Sequence, residues 1–533
     1  MSSRAGVVIF RMARYYNTDE VLEMVLDRES QDSYSSSSSE DSGDEDTDYS
    51  VGKEQPESSS HEESSDDESE GEMETEDAAS GWNSKSGKII WSPTNSETLR
   101  YVPAPTNITP GPTHYAAARI RDPASSFSLF LTDEIVLHTV AMTNLHGGRE
   151  VADWREMDCD EFRAYVGLLI LAGVYRSRNE SSLSLWGEKY GRDIFRATMS
   201  HKRFHQIGGA LRFDDKLSRP RRREDKLAAF RKVWDLWTHR LELLFSPDRD
   251  ICVDEQLVPY RGRCNFKQYI PGKPAKYGLK VWAVCDVKTS YAWRLQVYTG
   301  KAGDQELLRR KLALVGTTRK NKTELPPQLL QTRGRAIFSS AFTLTHTIVS
   351  YIPRRRKNVS TKHRTPDVSE GQKRKPVIIQ DYNRCKGGVD NLDKVVGTYS
   401  CRRRTNRWPV ALFHNLLDVS LYNSFVVWTA IDPSWKQHKR YRRRLYIEEV
   451  AEALINPHIL KRGRLPRSSG AADVVMSAQS AAAGPTTAGP NTKDRRLCEF
   501  CTDKRRRTCS TCCKCEKPAC KDHSLSICSL CFN

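Results

Sequence analysis

The sequence predicts a mixed α/β protein, with one sheet set between two helical stretches, a separate cysteine-rich C-terminal module and an acidic, disordered N-terminus. Three observations predict it. Short β-rich runs follow one another at 251–258, 279–286 and 293–298. Apolar residues at helical spacing precede them, and nine cysteines crowd between Cys498 and Cys531. A chain of 533 residues has room for two to four folded units plus tails.

Residues 1–120 are read as a disordered tail. Between Asn17 and Asp77 the chain holds about 24 acidic and about 2 basic residues, mixed with serine and almost free of large apolar side chains. Such a stretch cannot bury enough surface to offset chain entropy. The opening MSSRAGVVIFRMARYYN has an apolar patch but no sustained hydrophobic region or small-residue cleavage site, which predicts an intracellular protein. Residues 121–250 are read as helical. Phe162 to Tyr175 is nearly continuous in apolar character, and Leu227, Phe230, Val233, Trp234, Trp237, Leu241 and Leu244 recur at helical spacing. The most apolar run, Val166 to Tyr175, is about half the ~20 residues needed to cross a bilayer, so no membrane partner is expected.

Residues 251–400 hold the sheet. Its three consecutive strands are followed by a helical segment at 307–312, a strand-like run at 312–316 and a basic insertion at about 319–375. Helices resume over 401–462. Residues 463–494, rich in Ala, Gly, Ser, Thr and Pro, read as a flexible linker, and 495–533 as a separate module.

The net charge of +17 conceals an asymmetry: with about −22 in the acidic run, the rest of the chain carries about +39. A field of that size attracts polyanions through counterion release, and nucleic acid is the commonest intracellular one. No small-molecule substrate is expected.

Reduced thiols paired at two-residue spacing are metal ligands rather than disulfides. Cys498/Cys501, Cys512/Cys515, Cys520/His523 and Cys528/Cys531 complete two tetrahedral Zn²⁺ shells. In a cross-brace, Cys498, Cys501, Cys520 and His523 hold one zinc, and Cys512, Cys515, Cys528 and Cys531 the other. Sequential pairing, or Cys509 or Cys513 in place of Cys512, fits the spacing as well. So small a module has little apolar core, and its metal supplies the folding energy.

Asp254 follows the apolar Ile251, Cys252 and Val253, and a carboxylate beside a buried strand needs a cation or metal as partner. Asp390 and Asp393, three apart, share one face of a helix entered through Gly387 and Gly388 and could meet Asp254 around a divalent ion.

The chain resembles the piggyBac transposases and their domesticated relatives. The resemblance rests on VDEQLVPYRGR (253–263), YIPGKPAKYGLK (269–280), GTTRKNK (316–322), KGGVDNLD (386–393), RRTNRWP (403–409) and the cysteine module. It implies a ribonuclease H-like core inserted in a split helical domain that dimerises and grips double-stranded DNA, with a C-terminal finger on transposon ends. It also implies two Mg²⁺ ions held by acidic residues for cutting and joining DNA at TTAA sites. By motif match Asp254 is the first carboxylate, Asp390 the third and Asp393 an accessory one. Arg402, Arg403, Arg404 and Arg407 are read as phosphate contacts. The run with Lys439, Arg440, Arg442, Arg443 and Arg444 is read as a DNA contact or nuclear localisation signal, which places the protein in the nucleus.

One departure stands out. The family carries, between its third strand and the GlyThr motif, a segment whose AspAsn supplies the second carboxylate. Here Tyr298 and Leu312 are separated by about 13 residues, enough for one crossover helix, and neither Asp304 nor Glu306 matches the motif. The lost piece includes a fourth strand beside the first, and the strand at 312–316 is the candidate to move into its place. Three functions are compatible: a degenerate, DNA-binding relative impaired in strand cleavage; an active transposase represented without one exon; or a zinc-module interaction factor in chromatin or ubiquitin pathways.

Overall fold

The computed structural model describes residues 8–11, 82–87, 90–91, 109–300, 313–316, 325–331, 335–342, 348–354, 357–362, 368–370, 372–482, 496–502, 507–508 and 517–523. It divides into two compact units, one of residues 1–180 with 206–453, the other of 181–205 with 454–533. The sheet and most of the helices before and after it thus fall within one unit, while residues 181–205 and those from 454 on fall in the other.

The first unit is built on a six-stranded sheet. Its strands are β1 (Val8–Arg11), β2 (Asp250–Pro259), β3 (Lys267–Tyr269), β4 (Tyr277–Asp286), β5 (Ala292–Val297) and β6 (Ala313–Gly316). β2 and β4 form the long central ladder, from Ile251 opposite Asp286 to Pro259 opposite Gly278. β3 and β5 pair with successive stretches of the far edge of β4. Burial on both faces accounts for the apolar runs Ile251–Val253 of β2 and Val281–Cys285 of β4, and it also encloses the polar Asp254, Glu255 and Gln256.

β6 does not take the place beside β2. That place belongs to β1, which runs antiparallel to both, with Val8 opposite Val253 on one side and Gly316 on the other. The N-terminal 120 residues are therefore not uniformly without structure: they also include a short ladder between Trp82–Asn83 and Ile90–Trp91. The acidic run itself lies outside the described residues.

Helices α1 (Pro123–Ser128), α2 (Asp133–Glu150), α3 (Cys159–Val174) and α4 (Arg231–Leu244) precede the sheet's long strands. Helices α5 (Val377–Cys385), α6 (Gly388–Thr398) and α7 (Trp408–Ile431) follow it. α7 is long and apolar enough to cross a membrane, yet 83% of that apolar window is buried inside the fold. It joins the helical part to the sheet and makes them one unit. Asn423 donates to the carbonyl of Ala292 and accepts from its N–H at 2.8 and 2.9 Å, Ser420 accepts from the Trp237 indole at 2.9 Å, and Ser126 donates to the Ser424 carbonyl.

Within the basic insertion, whose periodicity looked irregular, the described residues form a three-stranded antiparallel sheet of Ser340–Phe342, Ile348–Arg354 and Lys357–Lys362. Arg335 caps it, donating to the Ser350 hydroxyl and carbonyl at 2.7 and 2.9 Å.

In the second unit, Trp186 packs edge-on to Phe195 at 5.0 Å and against Phe204 at 4.8 Å. The stretch read as a flexible linker contains a helix, Ser469–Ala482. Alanine's high helix propensity wins locally, and Ala471 and Val475 are buried. Gly470 sits against the Asp193 carboxylate, where a Cβ would meet Oδ2 at 2.3 Å.

Candidate active site and metal centre

Asp254 occupies the middle of β2, paired with Ala283 of β4 and one position beyond the end of the β1 pairing. Its carboxyl is buried, and desolvation pushes its pKa up to about 7; the Glu255 N–H and the Lys273 charge oppose the rise, while Glu255 and Asp390 add to it. Side chains alternate along a strand, so the AspGlu pair splits between two faces. On the face away from Asp254, Glu255 forms a buried ion pair with Lys280 at 3.2 Å, and the Lys280 ammonium lies 4.1 Å from the Trp282 ring centre.

The other two carboxylates arrive on α6. Its N-cap is Gly387, and a Cβ on Gly388 would come within 2.8 Å of the Cys252 Cβ. Only glycine lets the first turn press so closely on β2. Val389 and Leu392 are fully buried, which leaves Asp390 exposed in the first turn and Asp393 half-buried one turn on. Burial lifts the Asp393 pKa to about 6, opposed by the Gln256 hydrogen bond and Lys273, and reinforced by Asp390. The Asp390 charge thus acts on both Asp254 and Asp393, although the three do not form a group with all ligand atoms within 4.8 Å of one another.

Three further side chains complete the site. Gln256, on the same face as Asp254, donates from Nε2 to Asp393 Oδ1 at 2.8 Å and accepts from Asn415 of α7 at 2.9 Å. Lys273 donates to the Glu255 carbonyl at 2.7 Å and stands 3.9 Å from Asp393 Oδ2. A pocket of about 190 Å³ beside them is lined by Arg178, Gln256, Lys273, Asp393, Arg402 and Asn415, among others. Gln256 and Lys273 lie inside sequence motifs already quoted, whereas Arg178 and Asn415 carry no local signal.

The arginines of 402–407 divide in two. Arg403 donates to the carbonyls of Ser177 and Glu180, and Arg407 to those of Leu211 and Gly208 at the end of the helix His201–Ala210, so both are engaged by protein carbonyls. Arg402 lines the pocket and Arg404 is exposed. In the later basic run, Arg442 bonds the Asp432 and Pro433 carbonyls, Arg443 stacks on Tyr399 at 5.0 Å, and Arg444 pairs with Glu448 at 2.8 Å. Lys439 and Arg440 are exposed.

Cys498, Cys501, Cys520 and His523 place their ligand atoms all within 4.8 Å of one another, the one such group among the described residues. Cys501 and Cys520 sulfurs are 3.8 Å apart, and His523 Nδ1 lies 3.2 to 3.9 Å from the three sulfurs. A tetrahedral site with bonds of about 2.3 Å to sulfur has edges of about 3.8 Å, so the four atoms fit a zinc-sized ion. These are the four residues that a cross-brace assigns to one ion. Cys512, Cys515, Cys528 and Cys531 lie outside the described residues.

Residues 122–306 and 304–425, more than half of the chain, match a family model described as transposase IS4. The cryo-EM structure of a piggyBac transposase synaptic complex with hairpin DNA is similar at a TM-score of 0.64 and 30% identity, over 79% of this chain and 100% of that one. The chain belongs to the piggyBac-type transposase family.

Among curated relatives of this piggyBac-type transposase are the human piggyBac transposable element-derived protein 3 and the human chimeric ERCC6-PGBD3 protein. Each is 27% identical over 187 residues, 34% of this chain, and the matched part spans 30% and 17% of their respective lengths. The two segments matching the family model overlap at 304–306, between β5 and β6, and the sequence from Tyr298 to Leu312 holds no AspAsn pair. Asp304 and Glu306 lie outside the described residues.

Proposed function

We propose that this chain is a piggyBac-derived nuclear protein that binds double-stranded DNA as a homodimer, with a zinc-stabilised C-terminal module, and that it is impaired in DNA strand cleavage. The observation that carries the reading is the composition of the acidic site. Asp254, Asp390 and Asp393 converge beside Lys273, while the stretch between β5 and β6 offers no AspAsn to join them. Two divalent ions would supply stabilisation of both the attacking and the leaving oxygen of a phosphodiester, and holding both takes three or four well-placed carboxylates.

Burial makes the Asp254 and Asp393 carboxylates costly to ionise, raising their pKa values to about 7 and about 6, and a divalent ion such as Mg²⁺ would offset that cost. Gln256 orients Asp393 for that ion, and Lys273 balances the remaining charge. Arg178, Lys273 and Arg402 give the adjoining pocket the cationic lining that a DNA phosphate requires. The second unit adds a Cys₃His cluster suited to Zn²⁺.

The test is cleavage of transposon-end and hairpin DNA by purified full-length protein with Mg²⁺, beside Asp254→Asn. The expected result is salt-dependent DNA binding with no nicking above the variant. Mg²⁺-dependent nicking that Asp390→Asn abolishes overturns the impaired-catalyst reading, and binding insensitive to salt overturns the DNA-binding one. The seam in the family match at 304–306 also suits an active transposase whose transcript lacks one segment. Transcripts with an in-frame AspAsn insert between Gly300 and Leu312 would establish that second reading.

A further inference from the structure

We infer that residues 8–11 are a surrogate sheet strand, an N-terminal segment that fills the gap between β2 and β6 and on which the seat of Asp254 depends. Among the described residues, β6 joins the sheet through β1. β1 is antiparallel to β2 over Val8 to Arg11 against Val253 to Asp250, and antiparallel to β6 over the same four residues against Gly316 to Ala313. β2 and β6 are therefore parallel to each other with one strand between them, about 9.5 Å apart, too far to hydrogen-bond directly.

With β1 in place Ile251, Cys252 and Val253 are fully buried, and β1 supplies the partners for backbone groups that would otherwise form an open sheet edge. The pairing joins residues more than about 230 positions apart, so no local hairpin accounts for it. Val8, Ile9 and Phe10 are all strong strand formers, in a stretch that otherwise precedes a long acidic run.

The repair is structural and brings no acid. Asp254 lies one position beyond the last paired residue, Val253, and the seven residues before Val8 contain neither Asp nor Glu. The strand's role in the sheet holds whether or not the chain cuts DNA.

The natural Cys252 stands opposite Ile9 and supplies the test. In full-length protein, Ile9→Cys is expected to form an intramolecular disulfide with Cys252 under mild oxidation, mapped by mass spectrometry, whereas Phe10→Cys is not. Deleting residues 2–16 is expected to lower the melting temperature by about 5 °C or more and to speed amide exchange at 251–253 and 313–316. A synthetic peptide of residues 4–14 is expected to restore both. An unlinked Ile9→Cys protein, or a deletion that leaves melting and exchange unchanged, overturns the inference. So does a link formed only between two chains, since the strand would then come from a second copy. None of these readouts involves DNA cleavage, so their failure is distinguishable from failure of the proposed function.

Discussion

At the scale of single residues, the site is governed by burial of charge. Asp254 has a folded-state pKa of about 7, well above its ordinary value, because desolvation outweighs the Glu255 N–H and Lys273. A raised carboxylate pKa means that folding takes up a proton between the two values. The stabilisation is complete below the unfolded pKa of about 4 and is lost as pH rises through about 7. Denaturation without Mg²⁺, zinc retained, is therefore expected to show stability falling between about pH 4 and pH 7, and Asp254→Asn to flatten that fall. Gln256 gives a second residue-scale prediction. Gln256→Leu strips Asp393 of its donor and leaves Asn415 without its acceptor. Divalent-ion affinity, read by calorimetric titration, is expected to drop by about 10-fold or more.

At the scale of elements, the decisive contact is that of α6 on β2. Gly388 permits it, because any Cβ there would collide with Cys252. Gly388→Ala is expected to cost about 1–3 kcal/mol in a denaturant titration, and to weaken divalent-ion binding by lifting Asp390 and Asp393 away from Asp254. Three of the strands, β2, β4 and β5, were legible from β-branched runs bounded by Gly and Pro, and their bounds agree with the sequence reading within two residues. The helix at 469–482 was not, because Gly, Ser and Thr around the alanines looked like a tether, while alanine propensity and burial of Val475 hold a helix. The strands of the basic insertion were hidden for another reason. Lys and Arg crowd at the strand ends and Ser, Thr and Asn stand among the few apolar residues, so pairing between neighbours, which a sequence does not display, defines them.

For the whole molecule, the chain's two compact units predict separable behaviour. Chelating zinc is expected to unfold the cysteine module, where metal replaces a core, while the sheet-containing unit keeps its own thermal transition; circular dichroism and calorimetry resolve the two. Cys498→Ser is expected to remove one equivalent of bound zinc by elemental analysis. The same scale explains α7, whose apolar length serves the junction between helices and sheet.

The sequence by itself determined the family, the identities of the acidic and cysteine ligand candidates, and the central strands. Each of these is carried by local spacing and residue type, which do not depend on what lies across the fold. Only the tertiary structure decided that Arg403 and Arg407 bond to protein carbonyls, that Gln256 and Asn415 brace Asp393, and that residues 8–11 stand between two distant strands. Those outcomes are set by which buried donors and acceptors lacked a partner, and partners hundreds of residues apart leave no periodic signature in the chain.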